Sequence, residues 1–200
     1  MGQQKLLLPW NGRPVIRQIV SQVVASQVSR TIVVSGGDHE ALARSLEGVV
    51  ITLTRNPLPK AGMLASLRVG LKSVSPDDHG FLVVLGDQPS LTTRLLDRLL
   101  KCWRAEPQSI WRPQFQSAHG HPVVIPMEFR QAVMTEFDQL GLKGLLRRYP
   151  DRVRNWRVDD PGVVVDIDTP EDYERELARV TARYPSEPDG PAQRGGEGRG

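Results

Sequence analysis

"GFLVVLGDQP", residues 80–89, decides the fold. Phe81 to Leu85 is an unbroken apolar run with adjacent β-branched Val83 and Val84, and Gly86 stops it. A run this short and this rich in β-branched residues is a strand, and with no polar alternation it must be covered on both faces. Helical patterns flank it at "MLASLRVGLKSV" (63–74) and at 92–103. Further upstream come "TIVVSGG" (31–37) as a strand and "DHEALARSL" (38–46) as a helix with Asp38 as N-cap. "GVVITL" (48–53) is a second strand, followed by the loop "NPLPKAG" (56–62). Residues 14–28 place Val15, Ile19, Val23 and Val24 on one helical face behind Pro14. This alternation predicts a mostly parallel sheet with helices on both sides.

The second half is less regular. "SIWRPQF", "HPVVIP", "RVRNWRV" and "GVVVDID" (162–168) read as strands, and "EFRQAV" and "FDQLGLKGLLRRY" (137–149) as helices. A last helix opens at "TPEDYERELARV", with Thr169 as N-cap, Pro170 at N1 and Asp172 at N3. The organisation expected is one domain over 1–184 and a disordered Pro/Gly-rich tail over 185–200.

The 200 residues are 39% hydrophobic and 24% charged, a globular composition with a core of useful size. A net charge of +3, with one short basic run at Arg147, Arg148, Arg152 and Arg154, argues against nucleic acid as a partner. The single cysteine, Cys102, rules out an internal disulfide and a cysteine-cluster metal site. No apolar run approaches the ~18 residues of a membrane span, and the expected compartment is the cytoplasm.

Ligands of such sheets bind beyond the carboxyl ends of the strands. Asp87 stands at one such end, behind a glycine that permits close approach, where it could hold a hard cation such as Mg²⁺ carrying phosphates. Equally, it could cap the helix after Pro89. Asp166 and Asp168 end another expected strand, where alternation turns both to one face; capping is again the other reading for Asp168. Lys5 could meet a phosphate as a mobile point charge or lie solvated. His39 and His79 sit in polar stretches that read as surface. His119 and His121 lack zinc spacing, although His121 before Pro122 is placed to touch a ligand. No nucleophile elbow, zinc-protease or Walker motif is present.

"MGQQKLLLPWNGRPV", "NPLPKAGMLASLRVGL", "VVLGDQPSLT", "GHPVVIP", "LLRRYP" and "VVVDIDTPEDY" occur here in one order. In that order they resemble the MobA-like nucleotidyltransferases, and among them the molybdenum cofactor cytidylyltransferases. The resemblance runs from Met1 to about Val180. It implies a Rossmann-like, three-layer α/β/α nucleotidyltransferase fold. It also implies transfer of CMP from CTP, or of GMP from GTP, to a molybdopterin-type cofactor, with Mg²⁺ and release of pyrophosphate. Asp87 then matches the main metal ligand and Asp168 the second, with Asp166 in reserve. Lys5 matches the catalytic lysine on the nucleotide phosphates. Asn56, Pro57, Gly62, Met63 and Ser66 match the base and ribose region, and Gly120 and His121 the acceptor side. A recipient molybdoenzyme is a further partner the resemblance suggests.

The chain departs from the family pattern in three places. It begins at the Met-Gly that closes the family's phosphate loop, so the first strand and most of that loop are expected to be missing. "QSAHGHP" stands where the family carries basic residues, and "GLKG" (141–144) lacks the acid of Gly-Asp-Lys-Gly. Other readings are a guanylyl- or sugar-nucleotide transferase of the same fold, and a non-catalytic carrier of the molybdenum cofactor.

Overall fold

The computed structural model describes residues 3–183; the expected tail lies outside them. A 3₁₀ turn, Gln3–Leu7, leads into a tight hairpin of β1 (Pro9–Trp10) and β2 (Arg13–Pro14). Asn11 and Gly12 form its turn, both at positive φ (48° and 78°), as a two-residue Asn-Gly hairpin requires. The chain continues through α1 (Val15–Val24), β3 (Ile32–Ser35), α2 (His39–Ser45), β4 (Thr52–Arg55), α3 (Met63–Leu71), β5 (Gly80–Val83) and α4 (Thr93–Ala105). It then forms β6 (Ile110–Phe115), β7 (Ala118–His119), β8 (Val123–Pro126), α5 (Arg130–Thr135), α6 (Leu142–Arg148), β9 (Val153–Arg157) and α7 (Pro170–Arg183).

The strands β5, β6 and β9 run one way: β6 and β9 pair directly in parallel, and β8 lies antiparallel between β5 and β6. The short β7 folds back on β6. A separate parallel pair, β3 and β4, aligns Ile32 with Thr52 and Ser35 with Arg55. The molecule is mixed α/β with parallel strands predominating, as the alternation predicts.

Strand β5 shows why its sequence is apolar throughout. Phe81 and Val83 join the core cluster of α3, α5 and α6, which includes Leu71, Val133 and Leu145. Leu82 and the following Val84 face the opposite cluster, built from Trp10, Ile19, Leu96 and Ile167. A third cluster packs Ile16 and Val20 of α1, Leu42 of α2 and Leu46 just past it around Val33.

Local chemistry accounts for several departures from expectation. Residues 162–168 are not a strand: Pro161–Val163 is a 3₁₀ turn, with the Asp160 carboxylate accepting from the Gly162 N–H, and Val164–Asp168 follow as irregular chain. The helix expected over 137–149 begins only at Leu142, because Phe137 and Gly141 both sit at positive φ. A Cβ on Gly144 would stand 2.6 Å from the Phe137 ring, so this glycine of "GLKG" serves packing. His39 is no free surface imidazole, since its Nδ1 lies 2.6 Å from the Ser35 hydroxyl.

Among the described residues the β3–β4 pair makes no ladder to the larger sheet. Between β3 and β5 runs a cleft of about 720 Å³, walled by Ile19, Val20 and Val23 of α1 on one side and Leu67, Gly70 and Leu71 of α3 on the other. Its lining includes Leu6, Leu7, Gly36 and Gly86, at the carboxyl ends of the strands. Packed interiors tolerate few voids beyond a water molecule. The β3–β4 unit is therefore held to the rest through helices α1 and α3 rather than by backbone pairing. Amide hydrogen exchange should follow this division: the β3 and β4 amides exchange at least tenfold faster than those of β8 and β6. Equal protection across both units would show that the two move as one.

Candidate active site

Lys5, Asp87 and Asp168, from three distant parts of the chain, meet at one point. The Lys5 Nζ donates to Asp87 Oδ2 at 2.6 Å and to Asp168 Oδ1 at 2.9 Å. The 3₁₀ turn carries Lys5, the turn beyond β5 carries Asp87, and the chain ahead of α7 carries Asp168. A backbone bond joins the two acidic segments directly, with the Ile167 N–H donating to the Asp87 carbonyl at 3.0 Å. Neither aspartate is needed as a helix cap. Thr92 caps α4 by accepting from the Leu95 N–H. Thr169 and Asp172 form a reciprocal capping box on α7, at 3.0 and 3.1 Å. That removes the capping reading of both carboxylates.

α7 is itself tied down. Glu176, 4% exposed, accepts from the Ser90 hydroxyl at 2.8 Å and pairs with Arg179. The Trp10 and Tyr173 rings meet edge-on at 6.0 Å, and the Tyr173 hydroxyl donates to the Pro9 carbonyl.

Burial lowers the affinity of Lys5 for its proton. The hydrogen bonds to Asp87 and Asp168 and their charges outweigh this, so its pKa is raised above the ordinary lysine value. With side chains 18% and 23% exposed, Lys5 and Asp87 are half-sequestered, whereas Asp168 at 69% reaches into solvent. The two carboxylates thus converge on one position that already accepts a cation. Among the described residues no group of three or more His, Cys, Asp or Glu could hold a metal ion. A hard ion such as Mg²⁺ needs no such cage, because it takes one or two carboxylates and completes its shell with water and phosphates. The donor set fits that kind of ion.

Asp166 parts company with Asp168. With no strand to align them, Asp166 instead accepts from the Gln88 amide at 2.7 Å. Burial raises the Asp166 pKa, although the Gln88 bond works against that rise. Gln88, 2% exposed, was not singled out from the sequence. An amide wedged between Asp87 and Pro89 was the only available signal.

Asn56 is buried, donates to the Ser66 hydroxyl at 3.0 Å and accepts from the Leu58 N–H at 2.9 Å. It therefore braces the 56–62 loop against α3. Pro57, Gly62 and Met63 are exposed around it, and Gly62 takes φ +86° with open space where a Cβ would stand. Met63 and Ser66 line the cleft that also includes Gly86, next to Asp87.

Gly120 and His121 approach from the β7–β8 connection. The Gly120 N–H bonds the Pro113 carbonyl, and the His121 N–H bonds the Val163 carbonyl at 2.9 Å. The His121–Pro122 peptide is cis. Burial lowers the His121 pKa, and the nearby Asp87 charge offsets part of that, which leaves a neutral imidazole beside the carboxylate at neutral pH.

Two acids and a lysine gathered beyond the end of β5 suit the handling of a nucleotide's phosphates. Residues 1–153 match the family model described as the MobA-like NTP transferase domain, and the chain belongs to that family. It is 28% identical over 187 residues to the molybdenum cofactor cytidylyltransferase of Escherichia coli strain K12, covering 90% of this chain and 91% of that protein. It is also 28% identical over 186 residues to the nicotine blue oxidoreductase of Paenarthrobacter nicotinovorans, covering 86% and 87%. The Rv0371C–manganese complex from Mycobacterium tuberculosis H37Rv superposes with a TM-score of 0.72 at 27% identity, covering 88% and 93%. The chain is an enzyme of the transferase class, with divalent-metal use in keeping with its family. No helix among the described residues is long and apolar enough to cross a membrane.

Two substitutions probe this arrangement. A Cβ on Gly120 would fall 1.8 Å from the Val163 carbonyl oxygen. Gly120→Ala should therefore cost about 3 kcal/mol in urea unfolding, and a loss below half of that would show that the loop yields. Asp166→Asn keeps an oxygen for Gln88 and removes the buried charge. Because the folded-state pKa of Asp166 is raised, the native state binds the proton more tightly than the unfolded one. Wild-type stability then falls as pH rises from below the ordinary aspartate range through the raised pKa. The variant should melt higher than wild type at pH 7, and the gap should close in acid.

Proposed function

We propose that this enzyme transfers a nucleoside monophosphate from CTP to a molybdopterin-type molybdenum cofactor, with Mg²⁺ and release of pyrophosphate. The observation that carries the proposal is the convergence of Asp87, Asp168 and Lys5 at the carboxyl end of β5. A relative with the cytidylyltransferase name, similar over nine-tenths of both chains, supports CTP over GTP.

In this reading Asp87 and Asp168 hold the cation. When bound, it draws the phosphate oxygens together and offsets the charge that develops on them. An acceptor phosphate oxygen attacks the α-phosphorus in line; the new P–O bond forms as the bond to the β-phosphate bridging oxygen breaks, and pyrophosphate leaves with that electron pair. Lys5 offers its ammonium to the same phosphates. The attacking oxygen is ionised at neutral pH, so no protein nucleophile is required. Pro57, Gly62, Met63 and Ser66 flank the base and ribose, and Asn56 holds their loop in shape. Gly120 and the neutral His121 face the acceptor, with the His121 ring able to donate one hydrogen bond to it.

The test uses two proteins. One is this chain and the other is its Asp87→Ala variant. Each is incubated with Mg²⁺, molybdopterin acceptor and CTP or GTP, and pyrophosphate is followed. Release with CTP, reduced at least 10³-fold by Asp87→Ala, is the expected result. Release with GTP alone would reassign the base. Acceptor binding with no release from either protein would make this a carrier.

A further inference from the structure

We propose that Lys5 is the resident cation of the Asp87–Asp168 pair, so that a divalent ion and the Lys5 ammonium compete for one position. The proposal rests on the assignment of Asp87 and Asp168 as metal ligands.

The geometry is that of an occupied site. A single ammonium lies at 2.6 and 2.9 Å from one oxygen of each carboxylate. Both are short, charge-assisted contacts. A hard divalent ion bound by those same oxygens would lie about 2.1 Å from each, well inside van der Waals contact with the ammonium. The two cannot share the point. The Lys5 side chain is also confined: it stands on the 3₁₀ turn whose Leu6 and Leu7 are seated at the end of the cleft. Taking the Lys5 charge away from the carboxylates is costly, because Asp87 is largely withdrawn from water and Asp166 lies close enough to couple to both. Lys5 thus offsets part of the site's negative charge until another cation arrives.

The exchange is complete when the incoming ion brings phosphates with it. The lysine then finds a new anionic partner as it gives up the old ones, and every charge stays paired. An ion alone offers Lys5 nothing and must expel it into solvent. Free Mn²⁺ or Mg²⁺ should therefore bind the wild-type chain weakly. Binding should become tight only together with a nucleotide phosphate.

Mn²⁺ binding to the full chain without nucleotide, followed by the electron paramagnetic resonance of the free ion, tests this. Lys5→Ala and Lys5→Met are compared with wild type and with Lys5→Arg, with circular dichroism verifying each fold. Removing the resident cation should tighten Mn²⁺ about tenfold, a typical coupling between competing ligands. Lys5→Arg should stay at least as weak as wild type. The gain should survive about 0.5 M salt, where a through-space field is screened, and should vanish when Asp87→Asn is added. Equal Mn²⁺ affinity in wild type, Lys5→Ala and Lys5→Met overturns the competition and leaves the metal assignment standing. No Mn²⁺ binding by any form overturns both.

Discussion

Burial of β5 on both faces is the constraint on which the rest of the structure depends. Phe81 and Val83 need one cover, Leu82 and Val84 another, and a single helix layer supplies only one. The chain answers with α3, α5 and α6 on one side and α1, α4 and α7 on the other. Once both layers are closed, the carboxyl end of β5 is the place where an acidic side chain can emerge between them. Asp87 lies in the turn just past that end. α7 is then drawn in by its own apolar face, which packs Tyr173, Leu177 and Val180 against the cluster around Trp10. Its docking delivers Ile167 to the Asp87 carbonyl and Asp168 to Lys5.

The site is assembled with little strain on any one element. Helix caps are met by Thr92 and Thr169, so neither Asp87 nor Asp168 serves as one. Several buried polar groups nearby find partners: Asn56 with Ser66, Ser90 with Glu176, and the Gln88 amide N–H with Asp166, although the Gln88 Oε1 has none among the described residues. Gly120 permits the β7–β8 connection to lie against Val163, and no other residue type fits that approach. These contacts position the acids and the imidazole without using them.

Much of this was legible in the residues. The unbroken apolar run at 81–85, the alternation around it, and the Thr169–Asp172 box each carry a local signal strong enough to survive folding. The meeting of Lys5, Asp87 and Asp168 was legible only through the order of motifs, because nothing in residues 1–15 states which carboxylate a lysine will find. The segment 162–168 misled for a physical reason. Its valines look like a strand, but Asp160 and Pro161 start a tight turn, and the Val163 carbonyl is taken by His121 rather than by a ladder. Asp166 and Asp168 consequently face different partners. Gln88 escaped notice because a buried amide has no periodicity, and its importance lies in a carboxylate 78 residues away.

The cleft between the two sheets has a consequence for how this protein behaves in company. Each of β3 and β5 pairs with a neighbour on one edge alone among the described residues, and the cleft with its apolar walls lies between them. Such edges accept any extended chain that offers matching hydrogen bonds and apolar side chains. The same opening that sets β3–β4 apart therefore leaves two strand edges beside apolar walls, the kind of surface that an added strand would cover.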